Sequence, residues 1–162
     1  MAIDMYDITA PVYTRLLTAL GSILSKAKTH AEERGIDATS LLESRLYPDM
    51  FNLKQQVQEA CRHALGLDAL PDMKNPNWPD SERSIDDLIG SIDKTIALIE
   101  AIPPEKINDL AETQLDMRGR AMNGLEFQLR FNQANFYFHV TTAYNILRHN
   151  GVTIGKRDFL GL

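Results

Sequence analysis

Apolar residues recur three and four positions apart along most of the chain, the spacing that aligns them on one face of an α-helix. In the first such segment Val12, Leu16, Leu20, Ile23 and Ala27 form a stripe, with Leu17 and Leu24 beside it. Thr9 is placed to cap this helix, Pro11 falls in its first turn, and Gly35 ends it. A short helix follows, opened by Asp37 and carrying Leu41 and Leu42. The stretch PDMFNLKQQVQEACRHALG predicts a second long helix, with Asp49 at its start and Gly66 at its end. Its apolar face is Leu53, Val57, Ala60 and Ala64. The prolines of DALPDMKNPNWPDSER predict a loop, with Trp78 as the side chain that pins it to the body. In the third long helix Ile85, Ile89, Ile92, Ile96 and Ile99 repeat at spacings of 4, 3, 4 and 3. Ser84 with Asp87 forms a capping-box pattern at its start, and Pro103-Pro104 stop it.

Between Glu112 and Gly124 the helical pattern fades, and Gly119 and Asn123-Gly124 signal the turns of a small hairpin. From Leu125 two patterns compete. Leu125, Phe127, Leu129 and Phe131 alternate as a strand would, whereas Leu125, Leu129, Asn132, Phe136, Val140, Ala143 and Leu147 keep helical spacing up to Asn150-Gly151. The longer pattern prevails and predicts a fourth long helix. The expected fold is all-α, an up-down four-helix bundle with a short extra helix after the first long one and a small hairpin before the last. With 162 residues, no internal repeat and no low-complexity segment, the chain reads as one domain over 1–162.

Charge narrows the partners. Lys and Arg number 17 against 22 Asp and Glu, a net charge of −5, with no block of basic residues. Nucleic acid and anionic membranes therefore lack the basic patch they need. Cys61 is the single cysteine, which excludes an internal disulfide and suits a reducing cytoplasm. The opening residues include early acids and no uninterrupted apolar core, so no secretory signal is expected, and no apolar run approaches the ~20 residues of a membrane span. The expected compartment is the cytoplasm.

Candidate chemistry centres on histidine. His139 falls beside the apolar stripe of the fourth helix, between the directions of Ala143 and Ile146, and faces inward. A buried neutral imidazole needs partners for its ring nitrogens, and Gln56 from the second helix is one candidate. His149, in the last turn, reads as a capping or surface residue. Asp49, Gln56 and His63 stand seven residues apart along one edge of the second helix, either the rim of a cleft or the boundary between core and solvent; His63 is given the boundary role. No H-x-x-x-H pair, H-E-x-x-H, C-x-x-C, phosphate-binding loop or nucleophile elbow is present. Tyr137 and Phe138 point away from the main stripe, toward the hairpin and tail or toward a second subunit.

The segments YPDMFNLKQQVQ, NFYFHVTTAYNILRHNG and GKRDFLG, with MYDITAPVYTRLLTAL and HAEERGID, resemble a bacterial family of unknown function in the DinB/YfiT-like superfamily, over essentially the whole chain. The resemblance implies a DinB-type bundle and a homodimer. Members of that superfamily often hold nickel or zinc through three histidines, one on the second helix and two, four apart, on the fourth; some act as hydrolases or thiol transferases. By position His139 matches the first histidine of the fourth helix, while Gln56 and Ala143 stand where the other two would be. One ligand is thus expected to survive, and an amide oxygen is a weak, neutral substitute. Asp49 lies about 10 Å from Gln56 along the helix at ~1.5 Å per residue, too far to share its ligand shell.

Two functions are compatible with these features. The expected one is a dimeric small-molecule-binding or structural bundle without a cofactor, its ancestral metal triad incomplete and His139 and Gln56 kept as polar groups. The alternative is an enzyme with a changed site, a hydrolase or thiol transferase. There His139 would hold nickel or zinc, or act as a general base with an ordinary pKa near ~6.5, and Gln56, Asn135, Tyr144 and Asp49 would line the substrate pocket. A DNA-repair role rests on the superfamily's historical name alone, and the acidic balance opposes it. In the tail GVTIGKRDFLGL, Phe159 and Leu160 are expected to dock in a groove, or Arg157 to reach a pocket and bind an anionic substrate.

Overall fold

In the computed structural model, the structure describes residues 3–66, 82–117 and 119–162. Trp78 and most of the loop predicted around it lie outside the described residues. Helix α1 (Ala10–Arg34) has Pro11 in its first turn and ends on Gly35, whose φ of 64° is the left-handed cap conformation that glycine adopts without a Cβ penalty. Thr9 stands at its start, but its hydroxyl turns back to the Met5 carbonyl at 2.6 Å rather than capping the helix. Asp37 opens the short α2 (Ala38–Glu43) by accepting from the Thr39 N–H at 2.9 Å.

Helix α3 (Leu53–Leu65) begins later than the sequence pattern suggests. Asn52 accepts from the Gln55 N–H at 2.9 Å and the Gln55 side chain accepts from the Asn52 N–H at 3.1 Å, a reciprocal box that fixes the start. Asp49 stays exposed in the preceding loop and plays no part in the helix. The Ser84–Asp87 box opens α4 (Ile85–Glu100) as expected, and Ile85, Leu88, Ile92 and Ile99 of that helix are buried. Pro104 then starts a further short helix, α5 (Pro104–Asp109), which the isoleucine pattern does not announce.

Strands β1 (Gln114–Asp116) and β2 (Ala121–Asn123) pair antiparallel, with Leu115 opposite Met122. Asn123 ends the hairpin and caps α6 (Gly124–Phe127), accepting from the Glu126 N–H at 2.9 Å. From α6 the chain runs through a π turn (Gln128–Asn132) directly into α7 (Gln133–His149). A π turn inserts one extra residue, and one residue is about 100° of helix rotation. The apolar stripe therefore breaks there. Leu129, predicted inward, is 48% exposed, while Phe127 and Gln128 are buried; from Asn132 onward the predicted Phe136, Val140, Ala143 and Leu147 face the core.

The four long helical segments pack as a bundle, α3 against α7 and α4, α1 against α4 and α7. Tyr13 and Phe136 meet in the core with ring centroids 4.6 Å apart, among fully buried Leu17, Leu20, Leu53 and Ile92. Each such side chain contributes about 1.5–3 kcal/mol on burial. A last helix, α8 (Lys156–Leu160), lies on α1. Its Phe159 ring meets Tyr144 at 5.9 Å, Lys26 pairs with Asp158, and Arg15 donates to the Leu160 carbonyl at 2.8 Å. Arg157 is exposed. Among the described residues no helix is long and apolar enough to cross a membrane.

Candidate metal centre between α3 and α7

The segment EACRH of α3 places Glu59 and His63 four residues apart, on one face of the helix and one turn from each other. Gln56 lies one turn earlier on that same face. Where α3 packs on α7, His139 comes against them. One ligand atom from each of Glu59, His63 and His139 lies within 4.8 Å of the others. His63 is 2% exposed and His139 8%, while Glu59 is half-buried, so the histidines form the floor and the carboxylate the edge of the cluster. The His63 and His139 rings lie nearly parallel, at an interplanar angle of 14° and centroids 5.5 Å apart.

Hydrogen bonds behind the rings settle which nitrogen each offers. Gln56 donates its amide Nε2 to the Phe51 carbonyl at 3.2 Å, so its Oε1 faces His139 Nδ1 at 2.7 Å and must accept from it. His139 therefore carries its proton on Nδ1 and a lone pair on Nε2, and among the described residues that Nε2 has no hydrogen-bond partner. Asn132 fixes the second imidazole. Its amide Nδ2 is committed to the His63 carbonyl at 2.8 Å and to Gln128 Oε1 at 2.9 Å, which leaves Oδ1 to accept from His63 Nδ1 at 2.9 Å. Tyr13 donates to Gln128 Oε1 at 3.1 Å, and Gln128 donates to the Gly66 carbonyl at 3.2 Å. This buried network begins in the π turn, so the register break in the fourth helix serves to aim Gln128 and Asn132 at the end of α3.

Burial lowers both imidazole pKa values. For His139 desolvation is the largest cause and the nearby His63 the next, and together they bring it down to about 4. His63 is lowered chiefly by desolvation, with its bond to Asn132 opposing the shift. The ordinary value expected for His139 does not hold. Both rings are neutral at pH 7, the form that ligates metal. Burial also holds the Tyr13 hydroxyl well above its usual range, against the opposing effect of its bond with Asn132.

The donor set fits a divalent ion. Two imidazoles and one carboxylate are the ligands of transition-metal sites that keep open positions. Ligand atoms around such an ion are roughly 3 Å apart, so the cluster must draw in by about 1 Å or more, mainly through the half-buried Glu59 at its edge. One cation already touches it. Arg62 Nε donates to Glu59 Oε2 at 2.9 Å, its terminal amine pairs with the same oxygen, and that amine lies 3.3 Å from His63 Nε2. Aromatic side chains rim the cluster: Phe51 stacks on His139, Phe138 meets it edge-on at 5.3 Å, and Phe131 meets His63 at 6.3 Å. Phe51, Phe131 and Phe138 are all exposed over a third or more of their surface.

Of the residues singled out from sequence, His139 and Gln56 come together, Gln56 as the acceptor that orients the ring rather than as pocket lining. Asn135, one turn before His139, donates back to the Phe131 carbonyl at 2.7 Å. Tyr144 packs on Phe159 of the tail, and Asp49 is an exposed loop residue. His149 is exposed in the last turn of α7. His63, assigned from sequence to the core–solvent boundary, is buried; Glu59 and Arg62 are absent from the sequence reading, and Asn132 enters it only as a member of the apolar stripe. Glu59 and His63 carried a usable signal, a carboxylate and an imidazole four apart on one helix.

Comparison with known proteins agrees with this architecture. The family model described as a domain of unknown function (DUF1993) matches residues 5–160. The crystal structure of a DinB family member protein from Shewanella denitrificans is similar at 37% identity and a TM-score of 0.89, covering 97% of this chain and 92% of that one. No curated protein matches the chain.

Proposed function

The chain belongs to this DUF1993 family of DinB-like helical bundles, and from that premise we propose that it is a metal-dependent enzyme whose centre is Glu59, His63 and His139. Zinc or nickel is the expected ion. The observation that carries the reading is the convergence of two buried imidazole lone pairs, each fixed by an amide acceptor, on one carboxylate. Among the described residues His139 Nε2 is the one of the two without a hydrogen-bond partner, and a buried imidazole nitrogen in that state is unfavourable unless something ligates it. When bound, such an ion supplies Lewis-acid activation of water or of a polar substrate group, the chemistry of hydrolysis and of thiol transfer. His63 and His139 hold the neutral, ligating tautomers; Gln56 and Asn132 keep them there. Phe51, Phe131 and Phe138 seat a small apolar body over the centre and limit water. A metal-free role for His139 as general base is less well supported. A group with a pKa of about 4 is a poor proton acceptor at neutral pH.

Metal content by mass spectrometry on untagged protein, purified without chelator, tests this beside His139→Gln and Glu59→Gln. One equivalent of a transition metal in the native protein and its loss in both variants is the expected result. Native protein that stays empty after incubation with excess zinc or nickel would rule the reading out. A second reading, a metal-free small-molecule-binding or structural bundle, is favoured by one observation: Arg62 already neutralises Glu59. The same measurement decides between them. A homodimer belongs to either reading, and Tyr137 and Phe138 offer it an exposed apolar surface on α7. The lone cysteine, Cys61, is buried with its thiol pKa pushed up to about 12, an inert thiol compatible with a cytoplasmic setting.

A further inference from the structure

Arg62 is the cation in contact with the cluster, and its position conflicts with metal binding. Its guanidinium donates twice to Glu59 Oε2, and one of its amines lies 3.3 Å from His63 Nε2. Those two atoms are among the ones an ion must take. Glu59 and Arg62 are three residues apart on α3, so each turns toward the other without any movement of the backbone. The pair is also partly solvated, each side chain being 24% exposed, which makes it weak enough to open.

Charge governs how the cluster responds to an ion. With neutral histidines, Glu59 and Arg62 cancel, and the metal-free cluster carries no net charge. A divalent ion brings two positive charges to a half-buried site and takes Glu59 from Arg62. The guanidinium is then left without its carboxylate, close to the ion and to the mouth formed by Phe51, Phe131 and Phe138. A planar guanidinium with free N–H groups binds a carboxylate or a similar oxyanion through two parallel hydrogen bonds.

Resting on the metal reading above, we propose that Arg62 is an internal competitor of the metal that becomes the anion-binding residue of the loaded site, which selects small molecules carrying an anionic group on an apolar body. The apolar body would pack on the aromatic rim and the anionic group would meet the Arg62 guanidinium. In the metal-free protein the same residue keeps the site neutral and closed to anions.

Cobalt(II), followed by its visible absorption, tests both halves on the full-length protein. In the first step native protein and Arg62→Gln are titrated with cobalt. Arg62→Gln is expected to bind it at least fivefold more tightly, because no guanidinium holds Glu59. In the second step the loaded proteins are titrated with benzoate and with benzyl alcohol. Benzoate should bind native protein at least tenfold more tightly than Arg62→Gln, benzyl alcohol equally to both, and Arg62→Lys should recover part of the benzoate affinity. Equal cobalt affinity, or equal benzoate affinity with cobalt bound, would overturn the role of Arg62 and leave the metal centre standing. Failure of native protein and Arg62→Gln alike to take up cobalt would overturn both.

Discussion

Gln56 and His139 meet across the α3–α7 contact through one hydrogen bond of 2.7 Å, and that bond determines which ring nitrogen faces the cluster. The chain of cause runs back to the start of α3. Asn52 caps the helix, the Phe51 carbonyl is left pointing along it, and Gln56 is oriented by donating to that carbonyl at 3.2 Å. Removing Gln56 should therefore lower metal affinity, besides costing about 1–3 kcal/mol of stability for the buried groups it leaves unpaired. We expect Gln56→Ala to weaken zinc binding by about 10–100-fold, the usual effect of losing the partner behind a ligating histidine. Gln56→Glu should weaken it less than Gln56→Ala, since a carboxylate still accepts from the imidazole and makes it more basic but cannot donate to the Phe51 carbonyl. Competition against a chromophoric chelator measures both.

Acid should destabilise the metal-free protein through the same residue. His139 has a folded-state pKa of about 4 against an unfolded value near ~6.5, so between those limits the unfolded chain binds the extra proton. Stability consequently falls as pH drops from ~6.5 toward ~4 and gains nothing further from this group above that window. The reversal of the more familiar histidine behaviour comes from burial and the neighbouring His63, which outweigh the opposing pull of Glu59. Chemical denaturation of native protein and His139→Gln across this range should show a difference between the two curves that narrows as the pH falls. A difference independent of pH would mean that His139 does not titrate differently on folding.

Helical spacing made the four long helices legible, because burying one face of each is what builds the bundle. Two of the capping boxes show how unevenly local signals read. Ser84–Asp87 sits directly before an apolar repeat and was visible, whereas Asn52–Gln55 competes with Asp49, an acid that composition alone places equally well at a helix start. The π turn was hidden for a different reason. Its cause is the bonding of Gln128 and Asn132 to residues more than sixty positions away, and no local pattern carries that. The metal centre was half visible. Seven-residue spacing drew Asp49, Gln56 and His63 together, but the face of α3 that meets His139 is the one with Gln56, Glu59 and His63, and only the contact with α7 selects it.

Asn132 joins the fold to the site, so its loss should be felt in both. Its side chain is fully buried and serves His63 through Nδ1 and through the backbone carbonyl, as well as Gln128. Asn132→Ala strands several of these groups away from water, at a cost of about 3 kcal/mol. That corresponds to a fall in Tm of roughly 6–12 °C for a domain of this size. His63 would also lose the acceptor that fixes its tautomer, and zinc affinity should drop with it. Calorimetry together with zinc titration at a temperature where the variant is folded separates the two effects. A variant with native Tm would show that water replaces the amide without penalty.

Tyr137 and Phe138 lie side by side on α7, 40% and 52% exposed, and neither the hairpin nor the tail covers them. Phe138 also touches His139, so a substitution there would disturb the centre, whereas Tyr137 has its ring contact with Phe136. Tyr137 is thus the cleaner probe of a subunit contact. A stable contact between copies needs about 1,000 Å² or more of buried surface, and a charge placed inside it without a partner is costly. Light scattering after gel filtration should give a dimer mass for native protein and a monomer mass for Tyr137→Glu, with zinc binding kept by the variant. A native monomer would mean that this apolar surface is open to solvent, and the aromatic rim above His139 would then be the mouth of a site held within a single chain.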